Sequence, residues 1–299
     1  MSFNSIYKFR HWINSELLVN IGLSRNPLAV RIIEKNLDKF SWRALTYNTN
    51  ASHIIEKNLY KVDWWALSQN SGAIPILEKN LNKINWNALS LNTEALHLLK
   101  NNLDKVNWAN LSQNPGAIPI LEENLDKVVW SMLSRNPKAV HLLEKNLDKV
   151  DWNQLSINSG AIHLIEQNLD KINWFHLSCN RSAVHLLEQN LDKINWFQLS
   201  YNRGAIHLLE KNLDKVSWCA LSKNTEAIHL LEKNLDKVNW NNLSQNQAIF
   251  VLDRDAMRQQ IDNGFAEEMI AAALHPRHFT RNLLKYGYDI CLNEYVDCD

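Results

Sequence analysis

The chain has 299 residues, its 32 Lys+Arg balance its 32 Asp+Glu, and 45% of its residues are apolar. That apolar share supports a folded core and argues against disorder, while seven Gly and six Pro are too few for a loop-rich or all-β chain. Zero formal charge argues against a general nucleic-acid binder, whose affinity comes mostly from a cationic surface.

Trp recurs at every twenty-second position from Trp42 to Trp240, and Asn opens each unit from Asn26 to Asn224 and recurs at Asn246. Ahead of this array, residues 1–25 read as a worn copy of the unit. Counting back 22 from Asn36 gives Asn14, from Leu45-Thr46 gives Leu23-Ser24, and from Trp42 gives Asn20. The segment has lost its Trp and is expected to form an N-terminal cap, as terminal repeats do. Its start, MSFNSIYKFRHWIN, has no apolar stretch of secretory type.

Ten full units follow over residues 26–245, with the pattern N-x-x-A-[IV]-H-L-L-E-K-N-L-D-K-V-N-W-x-x-L-S-x. Within each, the stretch from Ala to the second Asn, as in Ala139–Asn146, places Ala and both Leu on one helical face and His, Glu and Lys on the other. Asn136-Pro137 supplies a cap and a first-turn proline, and Asn146 suits a left-handed stop. L-D-K-[VIF] then reads as a tight connection that drops its Leu and Val into the core. Asp, Asn or Ser precedes every Trp except Trp130, where Val129 stands, so a second short helix starts at each Trp with a side-chain cap. One unit cannot bury enough apolar surface to stand alone, so units must stack. The fold class expected is all-α: an α-solenoid of ten two-helix repeats with helical caps at both ends. At about 8–10 Å per layer, an open stack would run on the order of 100 Å.

The period slips after Asn246. Residues 246–299 read as a C-terminal helical cap: a longer helix over 248–262, then segments stopped near His275-Pro276 and Gly287. Apolar runs reach about five residues, as in Ala248–Leu252, against roughly 20 for a membrane span. Cys179, Cys219, Cys291 and Cys298 form no CxxC pair, which fits neither a disulfide scaffold nor a zinc knuckle and suits a reducing compartment. The expectation is an intracellular protein that does not enter a membrane.

The unit resembles the short LSxNPxAIxLLExNLDKVxW repeats of proteins from giant amoeba-infecting DNA viruses. Leu133–Trp152, LSRNPKAVHLLEKNLDKVDW, carries the resemblance most closely, and the tail Glu267–Gly287 is similar to the terminal segment of such proteins. Lys100, Tyr60 and Asn82 are departures from the pattern. The resemblance implies a viral protein in the host cytoplasm or the virion, and brings no catalytic residues with it.

Each regular row has a functional and a structural interpretation. The Trp row could be a stacking platform or a core ladder. The Asn rows could face a ligand or cap two bends per unit. The His row (His53, His97, His141, His163, His185, His207, His229) could be a solvated or pH-responsive face; layers 8–10 Å apart are too distant to share one metal ion. The Lys row, Lys39 to Lys237, could follow a polyanion, but an Asp row neutralises it. In each case the structural interpretation is the simpler. His176 and Cys179 alone make no metal site, and no phosphate-loop, zincin or nucleophile-elbow motif occurs.

The positions left free by the repeat are more informative. The first and fifth residues after each Trp share an outward face and vary from unit to unit. Phe175, Phe197 and Tyr201 cluster there with His176 and Gln198 beside them, and Trp65 holds the same position in an earlier unit. Clustered exposed aromatics mark protein interfaces. In the tail, Arg277, Arg281 and Lys285 form a basic stripe suited to an acidic partner. The sequence thus points to a non-enzymatic protein-binding solenoid without cofactor or metal, with a host or viral protein as partner. Nucleic-acid binding through the Lys row and tail, or a structural part of a viral assembly that self-associates through its caps, are the alternatives.

Overall fold

The computed structural model describes residues 7–255, and its chain divides into two compact units, Phe9–Phe250 and a smaller one of residues 1–8 with 251–299. In the described part of the smaller unit, Lys8 Nζ meets Asp253 Oδ1 at 3.2 Å. The larger unit is the all-α repeat solenoid.

Each repeat opens with a buried Asn whose side chain folds over the next turn. Asn136 Oδ1 accepts the Lys138 N–H at 3.1 Å, and Asn26 likewise caps a 3₁₀ turn over Pro27–Ala29. A short α-helix follows, Val140–Glu144 in that repeat, burying Leu142 and Leu143; it is called the Ala-side helix below. The L-D-K stretch forms its own 3₁₀ turn, as at Leu147–Lys149. The Trp helix comes last, as at Trp152–Leu155, capped by Asp151 Oδ1 on the Gln154 N–H at 3.1 Å. Val129 makes no such bond.

Two local expectations are corrected. Asn146 and its counterparts are not left-handed: φ is −140° at Asn146 and −136° at Asn190. The side chain instead donates back to the carbonyl four residues earlier, Asn146 Nδ2 to Leu142 O at 2.9 Å, which ends the helix without a positive φ. Nor is the Leu of L-D-K buried: Leu37, Leu59, Leu103 and Leu213 pack partly against the core, and the other repeats leave theirs exposed. Val128 and Ile194 are buried, at 8% exposure each, but Leu147 and Leu191 stay 48% and 49% exposed. The 3₁₀ turn covers only Leu147–Lys149 and ends at an extended residue, Val150 with φ −68° and ψ 126°, so the Val leaves the turn in a different direction from the Leu that opens it.

Consecutive repeats are joined by buried polar bonds. Asn136 Nδ2 donates to Ser112 O and Asn114 O of the preceding repeat at 3.0 and 3.1 Å. Ser134 Oγ donates to Trp130 O at 2.8 Å and accepts the Asp151 N–H at 3.0 Å. Both side chains are fully buried, so the same atoms that satisfy a turn also fix the next layer.

The stack closes on itself. Asn26 Nδ2 donates to Ser244 O and Asn246 O, as Asn48 Nδ2 does to Ser24 O and Asn26 O. The Val19 N–H reaches Ser244 Oγ at 2.7 Å, where in the array the Asn85 N–H reaches Ser68 Oγ. The N-terminal segment therefore completes an eleventh repeat begun at Asn246. Its 3₁₀ turn Ser15–Leu17 and helix Asn20–Arg25 occupy the places of Leu37–Lys39 and Trp42–Leu45 one repeat on. The segment covers the first repeat, as a cap should, and covers the last one too. The open 100 Å stack expected from layer spacing is not formed: the first and last repeats present their end faces to this one shared layer.

The joint has its own devices. Phe9 stacks on Phe250 at 4.7 Å, and Trp12 leans on Trp240 at 6.5 Å. Arg10 gives its N–H to Ile249 O and its Nε to Ala248 O, at 2.9 and 2.7 Å. The expected helix from residue 248 does not start there. Gln247–Ile249 is a 3₁₀ turn, and Phe250–Leu252 is a strand, β2, paired with β1 at Tyr7–Phe9. An apolar run of five residues suits either element, and the partner strand decides between them. The remainder of residues 246–299 lies outside the described residues.

Candidate functional site

The regular rows are committed to the scaffold. Each Trp is half-buried, with its inner edge on the core and its outer face under a Lys ammonium from the next repeat. From Lys61 over Trp42 to Lys237 over Trp218, the ammonium lies 4.6–5.0 Å from the ring centroid. From Lys61 onward the Lys row is thus neither a free solubilising stripe nor an open basic track, because each of these ammoniums sits on an indole face. The indoles are covered on that face rather than clamped wholly inside. Trp240 has no Lys in register and takes Trp12 instead.

The His row is not simply solvated either. Each of its seven members places Nε2 2.5–2.8 Å from the Oε1 of a Glu one repeat earlier, as His141 does with Glu122 and His163 with Glu144. At the joint, His11 Nε2 approaches Glu232 Oε1 at 3.4 Å and continues the row. Among the described residues, no group of three His, Cys, Asp or Glu side chains could hold a metal ion, and no helix is long and apolar enough to cross a membrane.

Trp helices of some neighbouring repeats lie against one another, among them Asn20–Arg25 with Trp42–Leu45 and Trp64–Gln69 with Trp86–Leu89. Two free positions on the Trp helix, first and fifth after Trp, face out from it, and the residue after each opening Asn lies beside them.

Here the structure gathers most of the expected residues. Phe175 and Phe197 are 45% and 49% exposed in adjacent repeats. Phe175 meets the His176 ring edge-on at 5.4 Å, and Phe197 meets Tyr201 at 5.5 Å. His176 Nδ1 lies 3.0 Å from Asn153 O of the preceding repeat, which anchors the ring. Gln198 is half-buried in the same helix, its N–H held by the Asn195 cap. Trp65, 45% exposed, belongs to a separate group, edge-on to Tyr47 at 6.3 Å, with the Arg25 guanidinium over the Tyr47 ring at 4.7 Å. Arg277, Arg281 and Lys285 lie outside the described residues.

A shallow cavity of about 240 Å³ opens beside the Phe pair, lined by Ile157, Ser159, Cys179, Arg181, Tyr201 and Arg203 with Asn180 at its base. The row that follows the opening Asn, which supplies Arg181 and Arg203, is missing from the candidates drawn from sequence. Helical periodicity assigns faces within a helix and says nothing of a turn residue packed beside it. Burial raises the Cys179 thiol above its ordinary range, opposed by a backbone hydrogen bond and the positive charge of Arg135. The thiol donates to His176 O at 3.1 Å, so Cys179 acts as a small wall residue. Comparison with protein-family models, with curated proteins and with solved structures finds no match.

Proposed function

We propose that this closed repeat array is a docking platform for a protein partner, bound on the free rows around Phe175, Phe197 and Tyr201. One observation supports this reading above others: the rows facing the neighbouring repeats are nearly uniform and bonded to them, while the free rows differ from repeat to repeat. A scaffold with no recognition task has no need of that variety. Exposed Phe and Tyr beside Arg is the residue chemistry of interface hot spots. Host-cell or virion residence follows from the resemblance of the repeat to giant-virus proteins and is part of the same proposal, as is the absence of catalysis.

The test is paired capture. Wild-type protein and the variant Phe197→Ala with Tyr201→Ala are immobilised at equal density, after equal thermal midpoints establish that both are folded. A partner retained by wild type and lost at least tenfold by the variant supports the site. Equal retention of every captured protein overturns it.

A further inference from the structure

The chain carries equal numbers of acidic and basic residues, yet it does not distribute them evenly. Three rows make up this free surface: first after Trp, fifth after Trp, and first after the opening Asn. Through all the repeats, including the Ile21, Arg25 and Pro27 positions at the joint, these rows hold not one Asp or Glu. They hold Arg25, Arg43, Arg135, Arg181, Arg203 and Lys223, all exposed. The nearest acidic rows are the helix caps and the second position after Asn. Asp63 is spent on Arg43 at 3.6 Å and Asp151 on its own helix cap, and Glu94 and Glu226 lie at the latter position.

The cations concentrate on one arc. Reading along consecutive repeats, the fifth-after-Trp and first-after-Asn positions run Arg135, then Ile157 with Ser159, Cys179 with Arg181, Tyr201 with Arg203, and Lys223. Basic side chains stand at both ends and beside the cavity, whose lining includes Ile157, Cys179 and the Tyr201 ring. Those three side chains take an apolar group, and the surrounding guanidiniums take carboxylates, to which Arg is matched in bidentate geometry. Four layers at roughly 8–10 Å span about 32–40 Å, the length of about ten to twelve extended residues at ~3.3 Å each.

We propose that the arc from Arg135 to Lys223 binds an extended acidic peptide of about ten to twelve residues that seats one apolar side chain between Ile157, Cys179 and Tyr201. The proposal rests on the docking-platform reading and adds the chemical class of the partner. An aliphatic seat between carboxylate-binding groups favours a peptide over a single-stranded nucleic acid, which relies on unbroken cation density and open ring faces; here Ser159 interrupts the cations, and each Phe is turned edge-on to its neighbour.

The probe is a fluorescein-labelled dodecapeptide of Glu and Asp with a central Leu-Phe pair, titrated with full-length protein at 50 mM and 300 mM salt. A Lys-for-acid version of the peptide and a labelled dodecauridylate serve as comparisons. Expected are saturable binding of the acidic peptide, at least tenfold weaker at the higher salt, and at least tenfold loss with Arg181→Gln plus Arg203→Gln. The Lys peptide should not bind, and the uridylate should bind more weakly. No saturable binding of the acidic peptide at low salt, an unaffected Arg variant, or tighter binding of the uridylate overturns the proposal. The Phe197/Tyr201 capture experiment is read separately, so loss of the acidic class leaves the docking site to be decided on its own result.

Discussion

Asn136 performs three tasks with one side chain. It caps its own turn and donates two bonds across the layer boundary, and it does so with no solvent access. Asn136→Ala leaves two buried carbonyls short of a donor and one turn uncapped, so a loss of about 2–4 kcal/mol is expected, read as a lower urea midpoint in equilibrium unfolding. An unchanged midpoint would show that the polar rows are incidental. The two described cysteines should also separate. Cys179 is half-buried with a raised thiol pKa, whereas Cys219 is exposed. At pH 7.5, peptide mapping after brief iodoacetamide treatment should find Cys219 alkylated several-fold faster. Equal rates would place Cys179 at an open surface rather than in the cavity lining.

At the level of elements, the helix caps before Trp were legible in the sequence because capping is local: nine of these side chains accept the bonds expected of them, and Val129 does not. Val129→Asp should therefore raise stability by about 1 kcal/mol, seen as a higher thermal midpoint; a lower one would mean that packing at Val129 outweighs the missing cap. The fate of the L-D-K leucines and of the run after Asn246 was not legible. The first depends on the extended residue that ends the 3₁₀ turn, and the second on strand β1 from the other end of the chain. Gly22 illustrates the same gap. Its position in the unit is held by Ala44 and Ala66 elsewhere, but a Cβ on Gly22 would lie 2.5 Å from Ser244 Cβ. The joint is tighter there than in the array. Gly22→Val should destabilise the protein by about 1–3 kcal/mol, more than Ala66→Gly, and chemical denaturation of the two variants side by side checks it.

For the whole repeat unit, periodicity alone predicted the stacking and not the closure. Each repeat specifies contact with the next through the same few atoms, so the bonds at Asn26 and Ser244 look like any others in the array. Whether a stack meets its own beginning depends on a small rotation per layer summed over all of them, which no single repeat displays. The candidate site was legible in part for a related reason. Phe175, Phe197 and Tyr201 could be assigned to one helix face, whereas Arg181 and Arg203 join them only through the turn that closes each layer. The Asn bonds at the joint are longer than those in mid-array: Asn26 Nδ2 reaches its carbonyls at 3.4 and 3.2 Å, where Asn136 Nδ2 does so at 3.0 and 3.1 Å, and the buried Trp12 Nε1 finds no partner. Amides of residues 19–26 should accordingly exchange with deuterium faster than those of residues 107–114, which hold the same positions in mid-array; equal protection would make the joint as strong as any other layer.

Closure itself is most directly read as a distance. Nitroxide labels at Lys35 and Lys233, both exposed at the C-terminal ends of Ala-side helices, would be introduced in a background with all four cysteines replaced by Ser and measured by pulsed dipolar spectroscopy. In the closed array these sites are two layers apart through the joint, so a narrow distribution centred near about 20 Å is expected at roughly 8–10 Å per layer. An open solenoid separates them by nine layers, and a distribution centred near about 80 Å would contradict the account.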